Sequence, residues 1–158
     1  MTEKRYNRFM AAAASSPAAP IRGGFHHFDL NVSDLAASKA IYGPVLGFLG
    51  YRMVKNDAAG CEWDLPGDGR GAALGLKLCD PALASLAHHR YAPGLHHLAW
   101  RASSRDDVDA LHDLLIARGI PVLDPPAHYP QYSGDYYAVF FEDPDGIKLE
   151  FVHAPGWI

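Results

Sequence analysis

Gly24–Leu30 reads GFHHFDL and Gly94–Trp100 reads GLHHLAW, so a histidine pair between apolar residues recurs at an interval of 70 positions. Imidazole ligates metal ions and changes charge near neutral pH, so it can hold an ion or move a proton. One such pair is ordinary. The same pair opening two similar segments points to a repeated unit in which histidine has a job. Near the C-terminus, Glu150 sits between apolar Leu149 and Phe151. On a strand those neighbours face one side and Glu150 the other, into a cleft where an unpaired carboxylate is costly. Two further stretches are rich in groups able to transfer protons or donate hydrogen bonds. LAHHRYAPG carries His88 and His89, and HYPQYSGDYY carries His128, Tyr129, Tyr132 and Tyr136.

These residues need elements to position them. In the first unit, HFDLNV alternates Phe28, Leu30 and Val32 with His27, Asp29 and Asn31, the period of a half-buried strand. Ser33 and Asp34 then cap a helix with Ile41, Val45 and Phe48 on one face, Pro44 kinking or ending it early, and Gly47 and Gly50 closing it. YRMVKN, CEWDLP and AALGLKL follow as strands, separated by turn residues such as Pro66-Gly67-Asp68-Gly69. The second unit repeats the plan. HLAWRA is a strand, Ser103 or Ser104 caps a helix with Val108, Leu111 and Leu115 on its buried face, and Gly119 stops it. YYAVFFED and IKLEFVH pair across the turn Asp143-Pro144-Asp145-Gly146. The strand expected between Pro121 and Tyr132 has the weakest signal. The fold class is α+β: two βαβββ modules, 24–80 and 94–153, forming a curved mixed sheet around a cleft within one domain, 24–158. Residues 1–23 read as a flexible arm rich in Ala, Ser and Pro.

Composition narrows the function. Of the 158 residues, 49% are hydrophobic and 20% charged, a globular balance with enough chain for one sizeable core. A formal net charge of -4 argues against nucleic acid and against an anionic membrane surface as partners. Two cysteines, Cys61 and Cys79, prescribe no disulfide framework and suit a reducing cytoplasm.

HFDLNVSDLAASKAIYGPVLGF, GLHHLAWRA and FFEDPDGIKLEFVH, in that order and at these separations, resemble the vicinal oxygen chelate superfamily: glyoxalase I, bleomycin- and fosfomycin-resistance proteins, and extradiol dioxygenases. The resemblance covers roughly residues 24–153. Carried over by position, it implies His27, His97 and Glu150 as metal ligands. Two imidazoles and a carboxylate suit one divalent transition metal, Fe2+ or Mn2+ before Ni2+, Co2+ or Zn2+, and leave coordination positions open for a substrate's paired oxygens. If His27 and His97 face the cleft, strand alternation turns His26 and His96 away or leaves them at the strand ends. The resemblance also implies a homodimer, with or without exchange of modules between chains.

Departures from the family pattern order the reactions. Glyoxalase I and related epimerases carry a Glu or Gln on the last strand of the first module, where this chain has Gly75. Extradiol dioxygenases and fosfomycin-resistance enzymes place a tyrosine ten residues before the ligand glutamate, where this chain has Phe140. Fosfomycin-resistance enzymes also place a threonine two residues after the first histidine, where this chain has Asp29. By strand parity Tyr136 reaches the cleft in place of a tyrosine at 140, and Tyr137 joins the core. Tyr136, His88 and His89 are therefore the candidate catalytic residues. Phe140, Tyr132, His128 and Lys148 are candidates for substrate binding, with His128, Tyr129 and Tyr132 in a covering loop. The first-ranked function is a metal-dependent enzyme on a small oxygen-bearing molecule, with extradiol-dioxygenase chemistry ahead of a glyoxalase-type lyase or isomerase. A metal-free drug-sequestering protein is the alternative of another class. Trp63, Trp100 and the phenylalanines read as core or cleft wall.

Overall fold

The computed structural model describes residues 23–67 and 72–157. The expected arm lies outside them apart from Gly23, as do Asp68 and Gly69 of the expected turn. The elements are β1 His27–Val32, α1 Leu35–Phe48, β2 Arg52–Asn56, β3 Gly60–Asp64 and β4 Ala73–Leu78, then a short 3-10 turn at Pro81–Leu83. They continue with β5 Leu98–Arg101, α2 Arg105–Ala117, β6 Val122–His128, β7 Tyr137–Glu142 and β8 Lys148–His153. This is α+β, with βαβββ written twice. Each module builds its own four-stranded mixed sheet, ordered β1-β4-β3-β2 and β5-β8-β7-β6, so the strands form two sheets where one continuous curved sheet was expected. In each, the first strand runs parallel to the last and the remaining pairs are antiparallel.

Local sequence explains the elements. Asp34 accepts hydrogen bonds from the N–H groups of Ala36 and Ala37 at 2.8 and 3.0 Å, satisfying donors that the first turn of α1 leaves free. Helix α1 does not stop at Pro44. It runs through it to Phe48, because proline deletes one backbone donor while Tyr42, Val45 and Leu46 on either side are fully buried. Gly50, at φ +90°, then reverses the chain, and the N–H of Tyr51 reaches the carbonyl of Leu46 at 2.8 Å. Ser104 caps α2 through its hydroxyl, which accepts from the N–H of Asp107 at 3.1 Å. Strand β6 exists despite Pro125 and Pro126, since it is the sheet edge, where a missing donor costs least, and its register slips around them.

One core joins the modules. Leu74 and Leu76 of β4, Tyr42, Val45 and Leu46 of α1, Val108, Leu111 and Leu115 of α2, and Leu149 and Phe151 of β8 belong to a single buried cluster. Each fully buried aliphatic side chain stabilises it by roughly 1.5–3 kcal/mol. Across the modules, the Tyr42 hydroxyl donates to Asp143 at 3.0 Å, and the N–H of Ser33 donates to Asp145 at 3.0 Å. The helix layers therefore lie between the modules, and each sheet turns its other face away from the shared core. On β1 that face carries His27, Asp29 and Asn31, all exposed. On β8 it carries Glu150.

Candidate functional site

Glu150 anchors the site. Leu149 and Phe151 point into the core, so alternation drives the Glu150 side chain to the opposite face, where it is only 1% exposed. Its two oxygens have separate partners. The Tyr136 hydroxyl donates to Oε1, and Nε2 of His97 stands 3.2 Å from Oε2. Burial pushes the Glu150 carboxyl above the usual carboxylate range, against the Tyr136 hydrogen bond and the Lys148 charge, which pull it down. Burial and the charges of Lys148 and Arg90 lower the His97 imidazole, which favours the neutral ring that a cation requires.

Tyr136 precedes β7 by one residue and shares its parity with Ala138 and Phe140, which places its hydroxyl over Glu150. Burial and the Glu150 contact raise its phenol well above the ordinary range. Phe140 is the register partner of Glu150 across the β7–β8 ladder, and Lys148 Nζ lies 3.7 Å from the centre of its ring. His96, His97, Tyr132, Tyr136, Phe140, Lys148, Glu150 and Trp157 enclose a cavity of about 330 Å³. Tyr129 backs this wall, its ring 5.1 Å from that of Phe140.

Several expectations need correction. Of the two places expected for His96, the strand end is the one it takes, beside His97 rather than turned from it. Both precede β5, which starts at Leu98, so strand alternation does not govern them, and their Nδ1 atoms approach to 2.8 Å. His26 and His27 repeat the contact at 2.9 Å. Tyr137 is half-buried, its hydroxyl bound to Asp109 at 2.8 Å, rather than wholly in the core. His128 ends β6, with its ring 5.1 Å from Tyr137, and is not in a covering loop. His88 lines a separate cavity with Asn31, Ser33, Cys79 and Asp145. His89 lies beside Tyr91, whose ring meets His89 edge-on at 6.0 Å and His96 edge-on at 5.4 Å. Trp157, absent from the sequence reading, packs 5.4 Å from Tyr136. It follows Pro155 and Gly156, beyond the last strand, where no periodicity announces it.

His27 is not brought to His97 and Glu150. Among the described residues, no three His, Cys, Asp or Glu side chains gather closely enough to hold a metal ion. One chain thus places the expected ligands in two groups on separate sheets: His27 on β1, and His97 with Glu150 between β5 and β8. The second fits a metal in its donor chemistry. A buried carboxylate and an imidazole nitrogen 3.2 Å apart need a positive particle between them, and without a metal that particle is a shared proton.

Residues 24–151 match the family described as Glyoxalase/Bleomycin resistance protein/Dioxygenase superfamily. An uncharacterized Bacillus subtilis protein, YqjT, is 40% identical over 128 residues, 80% of this chain and 96% of its own length. The 3-methylcatechol 2,3-dioxygenase of Pseudomonas putida is 28% identical over 141 residues, which span 85% of this chain but 42% of the dioxygenase. Among solved structures, a provisionally named glyoxalase from Bacillus halodurans superposes with a TM-score of 0.71 at 33% identity, over 84% of this chain and 97% of that one. A lactoylglutathione lyase from Agrobacterium tumefaciens, at 21% identity and a TM-score of 0.59 over 85% of this chain and 96% of its own, shares the fold.

Proposed function

The chain belongs to the glyoxalase/bleomycin resistance protein/dioxygenase superfamily, and on that premise we propose that it is a divalent-metal-dependent enzyme opening the ring of a small aromatic diol. The observation that carries the reading is the buried Glu150 carboxylate held between the Tyr136 hydroxyl and His97 Nε2. His97 and Glu150 hold the metal from one side. His27 completes the set from a second copy of the chain, because its own sheet turns that face away from the shared core. Phe25 is 72% exposed beside the first half-site and Tyr91 71% exposed beside the second, apolar rims that association of two copies covers. When bound, the metal supplies Lewis acidity and open positions for two adjacent substrate oxygens.

The chain's own residues do the rest. Tyr136 fixes the Glu150 carboxylate and stands as a proton donor at the cavity wall. Phe140, Tyr132 and Trp157 form an aromatic surface against which a flat ring stacks. Lys148 holds its ammonium over Phe140, where it neutralises a deprotonated diol oxygen. A cavity of about 330 Å³ suits one substituted ring. The likeness to a 3-methylcatechol 2,3-dioxygenase supports this chemistry. Free Cys61 and Cys79 support a cytoplasmic setting. Among the described residues, no helix is long and apolar enough to cross a membrane.

Anaerobic reconstitution with Fe2+ or Mn2+, then aerobic assay of catechols, 2-oxo-aldehyde hemithioacetals and fosfomycin, tests the reading. Metal-dependent ring opening of a catechol is expected. Turnover of the hemithioacetal alone would make the protein a lyase. Less than about 0.1 equivalent of metal after reconstitution, against the full occupancy a three-ligand site implies, would make it a sequestering protein.

A further inference from the structure

The two modules can be laid on one another through their strand registers. In the second, the residue two after His97 is Ala99, and it pairs with Glu150 on the parallel neighbour β8. In the first, the residue two after His27 is Asp29, and it pairs with Gly75 on the parallel neighbour β4. Gly75 thus occupies the place of Glu150, and Asp29 the place of Ala99. In each pair one strand gives a carboxylate and the other gives almost no side chain. The carboxylate has changed strands and kept its place on the face.

The space around Gly75 agrees. An added Cβ there would lie 2.2 Å from Oδ1 of Asp29 and 3.3 Å from its Cγ. Gly75 is not among the described glycines with positive φ, so its backbone conformation does not call for glycine. The Asp29 carboxylate fills the space where a side chain at 75 would begin, so any such side chain would have to turn it aside. Lys77 does not explain that position. Its Nζ is 3.8 Å from Asp29 Oδ2, with both side chains more than two-fifths exposed, and such surface pairs contribute at most about 1 kcal/mol.

We propose that Asp29 is an oxygen donor to the metal ion, pressed over Gly75 on the same strand face as His27, so that each half-site gives one imidazole and one carboxylate. The proposal rests on the reading of His27, His97 and Glu150 as ligands. Donors two residues apart on a strand lie on one face about 7 Å apart at Cα, close enough to converge on one ion. A fourth donor of this kind strengthens the hold on Mn2+ and Fe2+, which accept carboxylate oxygen readily.

The test is Mn2+ binding to the intact protein by competition with a chelating dye, with thermal melts to confirm folding. Asp29→Ala should weaken binding about 10-fold or more, since even outer partners of metal ligands are worth 10–100-fold. Gly75→Ala changes no charge but displaces the carboxylate, and should weaken binding to a similar extent. Asp29→Ala combined with Asn31→Asp restores the net charge two residues away on the same face and should stay weak. Affinity within about twofold of the parent in either single variant would overturn the proposal, and so would full recovery in the double variant, which would reduce Asp29 to a charge effect. A parent protein that binds no Mn2+ would instead overturn the ligand reading, and this proposal with it.

Discussion

His97 Nε2 lies 3.2 Å from Glu150 Oε2, although the two residues are 53 positions apart, one just before β5 and the other on β8. The parallel β5–β8 ladder creates this approach. Ala99 pairs with Glu150, so the chain entering β5 passes over the buried carboxylate. Tyr136 holds the other oxygen. Tyr136→Phe removes that hydrogen bond and little else. Metal affinity should fall about 10-fold with the melting temperature little changed, as for other outer partners of metal ligands. Unchanged affinity in a chelator competition would show that Tyr136 does not hold the carboxylate for the ion.

Lys148 lies over the Phe140 ring and at the edge of the cavity. Lys148→Met keeps the aliphatic stem and removes the charge. Binding of an anionic catechol analogue should weaken about 10-fold, the loss of one charge-assisted contact, while metal content stays at the parent level. Loss of the metal itself would assign Lys148 to the ligand shell.

Phe140 is 4% exposed, and its ring borders the cavity beside Glu150. A hydroxyl added to the ring has the cavity to enter, so Phe140→Tyr should fold and melt within about 3 °C of the parent. Failure to fold would place the ring edge in the packed core.

Asp143 joins the modules. Its carboxylate accepts from Tyr42 at 3.0 Å, from the N–H of Asp145 at 3.0 Å and from the N–H of Ile147 at 2.8 Å. Burial outweighs these bonds and raises the carboxyl above its ordinary range, and the nearby Asp145 charge adds to the rise. The folded protein therefore keeps the Asp143 proton at pH values where the unfolded chain has lost it. Stability falls as pH climbs from the ordinary carboxylate value, about 3.9, through the raised one, and levels off above it. Asp143→Asn keeps the acceptor for both backbone donors and faces Tyr42 with an amide. It should flatten that slope and cost nothing at pH 7. Asp143→Ala orphans three donors and should cost about 1–3 kcal/mol in urea unfolding. Equal losses in both variants would contradict the account.

Much of this was readable in the residues. The alternation of HFDLNV and IKLEFVH marks β1 and β8, and Asp143 with Gly146 marks the turn before β8. Glu150 is assigned to the cleft by its neighbours alone. What escaped has physical causes. Alternation fails for His96 and His97 because they precede the strand. Pro125 and Pro126 hide β6, since an edge strand tolerates what a central one does not. Pro44 misleads because tertiary burial of α1 outweighs one lost hydrogen bond. Separation of His27 from Glu150 depends on the helix layers packing between the sheets, and no local pattern encodes that arrangement.

The most direct test of a metal centre shared between two copies is the metal content of mixed variants. His27→Ala and Glu150→Ala should each bind almost no metal alone. Unfolded together and refolded as a mixture, half the dimers pair one variant with the other, and each such dimer regains one complete centre, about one ion for every four chains. No recovery in the mixture, or full occupancy in either variant alone, would contradict the account.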